Sequence, residues 1–274
     1  LVRAAAKNYY DVTVISSTEQ YSELMHELTV NKGCTSLKFR EKMSRLAFSE
    51  TAFYDSVISN YFNEITNTQF PKKKIIHANL IEKLRYGENA HQQSAIYSQK
   101  DNLGLIKLHG KTLSYNNYND VFSALSITKS FPKNVGTVII KHANPCGVSI
   151  LRDKLRSYKS ALACDPLSAF GGVVSCNFKV SKSLALELNK IFFEVIIGNG
   201  FEKSAIKILK TKKNLRLIDA SKFSLGKNLR FNSINASVLI QSEDNKIFQK
   251  KNFRVVSKKK PSKLQFENLI FAFN

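Results

Sequence analysis

Residues 136–147 have the sequence GTVIIKHANPCG, and this stretch indicates the fold class of the chain. Its β-branched run at 137–140 is typical of a strand that is buried on both faces, and polar residues follow it at once. Short apolar runs recur at 172–174, 195–197 and 215–218, with apolar residues at helical spacing between them. Strands that alternate with helices in this way predict an α/β domain.

The N-terminal part of the chain has a different pattern. Residues 11–15 predict a short strand, and Ser16 and Glu19 form a capping-box pattern ahead of apolar residues at helical spacing. A second helix is predicted from about residue 37 to residue 65, with an aromatic stripe that is expected to pack in the core. The basic, proline-containing segment 68–74 then predicts a domain boundary.

Length and composition fit one large domain or two smaller ones. The chain has 274 residues, and its 43% hydrophobic content is enough to fill a substantial core. No apolar run approaches the roughly 18 residues of a membrane span, and no signal peptide is visible. The four cysteines show no Cys-x-x-Cys spacing, so reduced thiols in a cytoplasmic protein are expected. Because the chain starts at Leu1 and stops at Asn274 without a terminating signal, both ends are expected to be cuts.

The net charge of +21 raises the alternative of a basic nucleic-acid-binding module. The basic residues are scattered along the chain or lie in short clusters, such as 72–74 and 258–260, without an arginine-rich arm or a known binding motif. A solvated, lysine-rich surface is therefore the favoured interpretation. A pocket for phosphorylated or polycarboxylate substrates would explain part of the excess.

The densest group of chemically active side chains is Lys141 and His142, directly after the predicted buried strand. Side chains at the carboxyl end of such a strand face the crevice in which α/β proteins bind ligands. Lysine supplies a fixed positive charge, and histidine exchanges protons near neutral pH. Pro145 and Gly147 are expected to turn the chain sharply. From residue types alone, a surface turn is as good an interpretation as a catalytic site.

A zinc site is a second interpretation of the same stretch, because His142 and Cys146 resemble half of the zinc deaminase pattern. Two residues argue against it. Residue 144 is Asn rather than the proton-shuttling Glu, and residue 149 is Ser rather than a second thiolate ligand. No metal is therefore expected.

Three further segments combine polar residues with glycine. Residues 84–92 contain Arg85, suited to binding phosphate or carboxylate, and Tyr86, suited to stacking on a heterocycle. Segments 110–117 and 165–172 are predicted to be polar turns, in which glycine lets a ligand approach the backbone closely. Taken alone, segment 84–92 fits an ordinary polar loop better than a functional site, and each of the other two segments is a weak signal.

Taken in this order, the motifs resemble one family, the bifunctional phosphoribosylaminoimidazolecarboxamide (AICAR) formyltransferases and IMP cyclohydrolases. Segment 84–92 is similar to the start of the formyltransferase domain, 141–147 to its catalytic signature, and 165–172 to a nucleotide-contacting stretch. The resemblance implies that residues 1–70 are the C-terminal part of a methylglyoxal-synthase-like cyclohydrolase domain. Residues 71–274 would be the first cytidine-deaminase-like half of the formyltransferase domain.

The resemblance also implies a reaction and the residues for it. A formyl group moves from the co-substrate 10-formyltetrahydrofolate to AICAR, giving FAICAR, which then closes to IMP with loss of water. The implied catalytic residues are Lys141 and His142 for formyl transfer and Lys7 for ring closure. The implied substrate-binding residues are Arg85, Tyr86, Phe170, Gly171 and Glu194.

The family's formyltransferase site is assembled across a homodimer, so the resemblance implies a homodimer as well. The implied partners are the nucleotides AICAR, FAICAR and IMP and the folate, with neither a membrane nor nucleic acid. Three positions depart from the family pattern: Ala90 stands where proline is usual, 198–199 replaces Ala-Pro, and 236–237 replaces Gly-Gly. The local turns are expected to differ there.

Overall fold

The structure of the protein is a computed structural model that describes residues 1–225, 229–244 and 246–273. It divides into two compact units, the first formed by Leu1–Leu103 with Leu113–Asn116 and the second by Gly104–Thr112 with Asn117–Asn274. The domain division predicted between residues 70 and 71 falls inside the first unit and stays a prediction. The predicted cut at Asn274 lies outside the described residues.

The first unit begins with helices. They are α1 (Val2–Lys7), a 3-10 helix (Thr18–Gln20), α2 (Tyr21–Val30) and α3 (Leu37–Ile65). The predicted helix from 37 to 65 is confirmed, and it begins where it does because the Ser36 side chain accepts a hydrogen bond from the Phe39 N–H at 3.2 Å. The predicted strand at 11–15 is wrong, because that segment forms no ladder and Val14 instead packs against Ala6 and Ala47.

The aromatic stripe of α3 is only partly in a core. Phe39 and Met43, in the first half of the helix, are buried as predicted. Tyr54, Tyr61 and Phe62, in the second half, are each more than half exposed. The prediction of core packing is therefore wrong for the second half of the helix, where helical spacing of apolar residues does not coincide with burial.

A two-stranded antiparallel ribbon completes the regular structure of the first unit. Strand β1 (Asn79–Leu84) pairs with β2 (Ser94–Ser98), and a bulge interrupts the register between Leu80 and Glu82. Residues 85–93 connect the two strands. They include Arg85 and Tyr86, which the family resemblance implies for substrate binding.

The second unit is built on a six-stranded mixed sheet with the order β3-β8-β7-β6-β4-β5. Strands β6, β7 and β8 are parallel to one another, whereas β3, β4 and β5 pair antiparallel with their neighbours. The strands are β3 (Ile106–His109), β4 (Gly136–Lys141), β5 (Asn144–Ile150), β6 (Val173–Cys176), β7 (Val195–Gly198) and β8 (Arg216–Asp219). The helices are α4 (Tyr115–Ser130), α5 (Lys154–Cys164), α6 (Pro166–Ala169), α7 (Lys182–Leu188) and α8 (Lys203–Leu209). The predicted α/β class is thereby confirmed.

Helices cover both faces of this sheet. On one face, Ile139, Val174 and Ile196 pack in one apolar cluster with residues of α5, α7 and α8. On the other face, α4 is attached by a buried hydrogen bond of 2.8 Å between the hydroxyls of Thr128 and Ser175. Neighbouring residues of a strand point to opposite faces, so the continuous apolar runs that sequence analysis identified are buried on both sides.

The chain continues from the sheet into a hairpin and a last helix. Strand β9 (Leu229–Ile234) pairs with β10 (Ser237–Ser242), and α9 spans Lys263–Phe273. The hairpin turns at Asn235, which has a φ of 53°, so an asparagine there supplies the left-handed backbone ahead of residues 236–237. Among the described residues, no helix combines the length and the apolar character needed to cross a membrane.

Candidate functional site

The candidate site lies at one edge of the six-stranded sheet. Strand β4 ends there with Lys141, and because β4 is antiparallel to β6, the same edge carries the starts of β6, β7 and β8. Lys141 is therefore at the carboxyl end of its own strand, as predicted, but at the amino ends of the three parallel strands. The loops that lead into those strands bring further side chains to this edge.

The opposite edge, at the carboxyl ends of β6 to β8, is closed by side-chain amides. Asn177 accepts hydrogen bonds from the N–H groups of Val135 and Gly136 at 3.0 and 2.8 Å. Asn199 donates to the Asn177 carbonyl at 2.8 Å and accepts from the Lys129 ammonium at 2.9 Å. These side chains bind the strand ends to one another, which favours the Lys141 edge as the place for a ligand.

The chain reverses at His142 and Ala143. Lys141 is paired with Asn144 in the β4–β5 ladder, so the connection has only two residues, and both have positive φ values, 54° and 60°. Positive φ at both central residues is the property of a type I′ hairpin turn. The prediction that Pro145 turns the chain is wrong, because Pro145 lies within β5. The turn leaves the His142 side chain exposed at its tip.

Gly147 does not turn the chain either, and its role is close packing. It is buried in β5, and a Cβ at this position would lie 1.8 Å from the carbonyl oxygen of Ala161 in α5. No atom fits in that space, so only glycine lets α5 approach β5 this closely. The glycine of the motif thus fixes the helix behind the turn.

Replacing Gly147 with alanine is expected to lower the free energy of unfolding by about 3 kcal/mol, because the added methyl group pushes α5 away from the sheet. Urea denaturation followed by circular dichroism measures the loss. Pro145→Ala, at an exposed position two residues away, is the matched control and should have little effect. A Gly147→Ala protein as stable as the unmodified one would show that α5 moves without penalty.

Lys141 is held by the loop that precedes β6. Its ammonium donates a hydrogen bond of 2.9 Å to the carbonyl oxygen of Phe170. An ammonium has three donors, so this bond orients the group and uses one of them. Asp165, which begins α6, accepts a hydrogen bond from the Ser168 N–H at 3.0 Å. Hydrogen bonds from Ser168 hold the pKa of Asp165 below its usual range, and the nearby Lys141 charge lowers it further.

Phe170 and Gly171 form an exposed apolar corner beside Lys141. The Phe170 side chain is 59% exposed, and its ring lies 5.4 Å from that of Phe192. Gly171 has a φ of 76° and donates its N–H to the Phe192 carbonyl at 2.8 Å. The positive φ favours glycine at this point of the loop. Two aromatic faces at the surface next to a cation are suited to a flat, polar heterocycle.

Glu194, immediately before β7, is fixed by two donors. The Asn117 side chain donates to its carboxylate at 2.7 Å, and the Arg216 guanidinium lies 3.4 Å from the same oxygen. Arg216 also donates to the Thr112 carbonyl at 3.3 Å. Because Glu194 is 42% exposed in its side chain and rigidly held, it presents an acceptor at the same edge as Lys141.

Of the predicted site residues, the structure therefore brings five to one sheet edge in the second unit: Lys141, His142, Phe170, Gly171 and Glu194. The other three belong to the first unit. Lys7 is the exposed last residue of α1. Arg85 is exposed, and Tyr86 is half-buried, in the loop after β1.

The loop that carries Arg85 and Tyr86 is ordered by its own hydrogen bonds. The Gly87 N–H donates to the Gln92 carbonyl at 2.8 Å, and the Asn89 N–H donates to the Gln92 side chain at 2.7 Å. The Ser94 hydroxyl donates to the Tyr86 carbonyl at 2.6 Å. These hydrogen bonds join the two sides of the loop and keep it compact. They do so although position 90 is Ala, where proline is usual in the family that the sequence resembles.

The Cys146 thiol is partly buried in β5, close to Asp165. Burial raises the pKa of its thiol, and the nearby Asp165 carboxylate raises it further, so the neutral thiol is favoured. A thiol must be deprotonated to bind zinc. Within residues 1–225, 229–244 and 246–273, no three His, Cys, Asp or Glu side chains are grouped closely enough to hold a metal ion.

Three residues at this edge were not found by sequence analysis as site residues: Asn117, Asp120 and Arg216. Segment 110–117 is predicted to be a polar turn, whereas Asn117 lies in the first turns of α4 and is buried. Asp120, one turn further, accepts a hydrogen bond from the Ala143 N–H at 2.6 Å. Arg216 is a charged residue at the start of an apolar strand, and this is the only feature of the sequence that could have indicated it as a site residue.

Comparison with known proteins identifies the family. A family model described as AICARFT/IMPCHase bienzyme matches residues 5–274. The chain is 40% identical to the bifunctional purine biosynthesis protein PurH of Bradyrhizobium diazoefficiens, covering 100% of this chain and 53% of the relative. It is 40% identical to the protein of the same name from Persephonella marina and 37% identical to that from Acetivibrio thermocellus, in each case over 54% of the relative and at least 99% of this chain.

The chain thus spans about half the length of the curated relatives it matches. The family match includes every predicted site residue from Lys7 to Glu194. Because this match extends over nearly the whole sequence, the chain belongs to the AICARFT/IMPCHase bienzyme family.

Proposed function

We propose that the protein containing this chain transfers a formyl group from 10-formyltetrahydrofolate to AICAR and closes the product, FAICAR, to IMP with loss of water. The family membership supports both steps. The observation that carries the formyl-transfer proposal is the grouping of an ammonium and an exposed imidazole with Phe170, Gly171 and Glu194 at one sheet edge. Each group meets a need of that reaction.

Formyl transfer needs a proton acceptor and an electrophilic aid. The 5-amino group of AICAR is a weak nucleophile, because its lone pair is delocalised into the imidazole ring. As its nitrogen attacks the formyl carbon, His142 takes the amine proton, and the carbonyl oxygen becomes an oxyanion. Lys141 stabilises that oxyanion. The bond from the formyl carbon to N10 of the folate then breaks, and N10 takes up a proton, which Lys141 or the protonated His142 supplies.

Nucleotide binding follows from the other groups at this edge. The exposed face of Phe170 and the backbone of Gly171 are proposed to line the AICAR heterocycle. Glu194, oriented by Asn117 and Arg216, is proposed to accept hydrogen bonds from the amine or carboxamide of the nucleotide. On the family resemblance, Arg85 and Tyr86 bind the same nucleotide, and Lys7 serves ring closure.

The proposal extends to the whole protein. Residues 1–70 are proposed to belong to a methylglyoxal-synthase-like cyclohydrolase domain, and residues 71–274 to the first cytidine-deaminase-like half of the formyltransferase domain. The working form is proposed to be a cytoplasmic homodimer. These features come from the family resemblance rather than from distances in the second unit.

The decisive experiment is an assay of the complete protein with AICAR and 10-formyltetrahydrofolate, in which formation of FAICAR and then of IMP is followed by chromatography. Production of both nucleotides is expected. The net charge of +21 motivates a second arm, in which binding to duplex DNA and to RNA is measured over a range of salt concentrations. Steeply salt-dependent binding without any FAICAR formation would contradict the proposal in favour of a nucleic-acid-binding module.

A further inference from the structure

The turn that carries His142 is intrinsically unfavourable for its sequence. His142 and Ala143 both have left-handed backbone, with φ values of 54° and 60°. In L-residues this conformation brings Cβ close to the following carbonyl oxygen, so two-residue turns of this type strongly prefer Asn-Gly. Neither residue here is glycine or asparagine. The turn therefore needs an interaction from outside the hairpin to hold it.

Asp120 supplies that interaction. Its carboxylate accepts a hydrogen bond from the Ala143 N–H at 2.6 Å, from a position 23 residues earlier in the chain. A hydrogen bond to a carboxylate is stronger than one between neutral groups, and both partners are partly buried. A second bond at the turn is local, because the Asn144 side chain donates to the His142 carbonyl at 2.8 Å. Asp120 thus connects the turn to a different element.

That element is rigidly placed. Helix α4 is anchored by Val121, Ala124 and Leu125, each at most 1% exposed. Three residues before Asp120, and so on the same side of the helix, Asn117 donates to Glu194 at 2.7 Å. One face of α4 therefore holds both the hairpin tip with His142 and the carboxylate of Glu194. The helix fixes their relative position through two separate bonds.

We infer that Asp120 is a positioning residue for formyl transfer, which holds the strained His142–Ala143 turn so that the imidazole and the Lys141 ammonium are presented in the reactive arrangement. The predicted effect on formyl transfer rests on the proposed function, whereas the hydrogen bond from Ala143 to Asp120 does not. Asp120 does not touch the reacting atoms. Its effect on the reaction passes through the backbone of Ala143.

The first test measures the hydrogen bond without using activity. In the complete protein, Asp120→Ala should speed amide hydrogen exchange at Ala143 by about 10-fold or more, because a donor in a bond of this kind is protected. Asp120→Asn, which keeps an acceptor oxygen, should retain most of the protection. The amide of Val174 in β6 reports whether the sheet is intact. Unchanged exchange at Ala143 in Asp120→Ala would overturn the inference.

The second test measures turnover. Asp120→Ala should lower kcat for formyl transfer by about 10- to 100-fold, with little change in KM for AICAR. A displacement of a catalytic group by about 1 Å has effects of this order. Asp120→Asn should stay within about 5-fold of the unmodified protein. Asn119→Ala, at the exposed neighbouring position of α4, is the matched control and should have no effect.

A double variant separates positioning from a general structural role. Glycine adopts positive φ without penalty, so Ala143→Gly should restore a large part of the kcat lost in Asp120→Ala. Failure of both Ala143→Gly and Asp120→Asn to preserve activity would overturn the inference. If the unmodified protein forms no FAICAR at all, the proposed function fails, and the exchange measurements still decide whether Asp120 holds the turn.

Discussion

Replacing His142 with alanine is expected to lower the rate of formyl transfer by about 100-fold or more, the contribution of a well-placed general base. The imidazole lies at the tip of the β4–β5 turn, exposed to a ligand at the sheet edge. Without it, no side chain of the turn accepts the proton that the AICAR amine must lose. The rate is measured in the complete protein as FAICAR formation at saturating concentrations of both substrates.

The matched control is His26→Ala, which removes an exposed histidine of α2. It should leave the rate unchanged. Adding FAICAR directly provides a second control, because ring closure to IMP should proceed at the normal rate in His142→Ala. Turnover of His142→Ala close to that of the unmodified protein would remove His142 from the role of general base.

Replacing Lys141 with methionine is expected to lower formyl transfer by about 100- to 1000-fold, as removal of a donor to a developing oxyanion does in other enzymes. Methionine keeps the length and the apolar part of the side chain but loses the charge and the bond to the Phe170 carbonyl. Arginine keeps the charge but has a different geometry. The formyl-transfer rate of Lys141→Arg should therefore lie between those of Lys141→Met and the unmodified protein. The loss should be mainly in kcat.

Lys133 offers a matched control, since it is an exposed lysine just before the other end of β4. Lys133→Met changes the net charge by the same amount but should not change the rate. An equal loss in both lysine variants would assign the effect to the overall positive charge. A Lys141→Met protein with normal kcat would contradict the proposed stabilisation of the oxyanion.

The parts of the fold that depend on local sequence pattern could be predicted from the sequence. A continuous apolar run indicates a buried strand such as Gly136–Lys141, and apolar residues at helical spacing indicate a helix such as Leu37–Ile65. Both patterns involve residues that are close in sequence. The position of Lys141 and His142 directly after a buried strand followed from the same pattern. The roles of both came from the family resemblance.

The geometry of the turn could not be predicted, because it is determined by contacts between distant segments. Pro145 and Gly147 are typical turn residues, but Pro145 lies in β5 and Gly147 makes room for Ala161 of α5. The turn falls instead on His142 and Ala143, which are poor turn formers and are held by Asp120. Local propensity was overridden by a hydrogen bond between residues 23 positions apart.

The relative direction of the strands could not be predicted from the sequence pattern either. Alternating strands and helices predict an α/β sheet but do not say that β4 is antiparallel to β6. For that reason the candidate site lies at the amino ends of the parallel strands, whereas the carboxyl ends are closed by Asn177 and Asn199. The replacement of Ala-Pro by residues 198–199 contributes the Asn199 amide to that closure.

The most direct measurement of the central claim is amide hydrogen exchange of the complete protein with and without AICAR. Bound nucleotide is predicted to slow exchange in peptides that cover residues 141–144, 170–172 and 194–195, and to leave the opposite sheet edge near Asn177 unchanged. Binding of AICAR without any slowing in those three peptides would show that the Lys141 edge is not the nucleotide site.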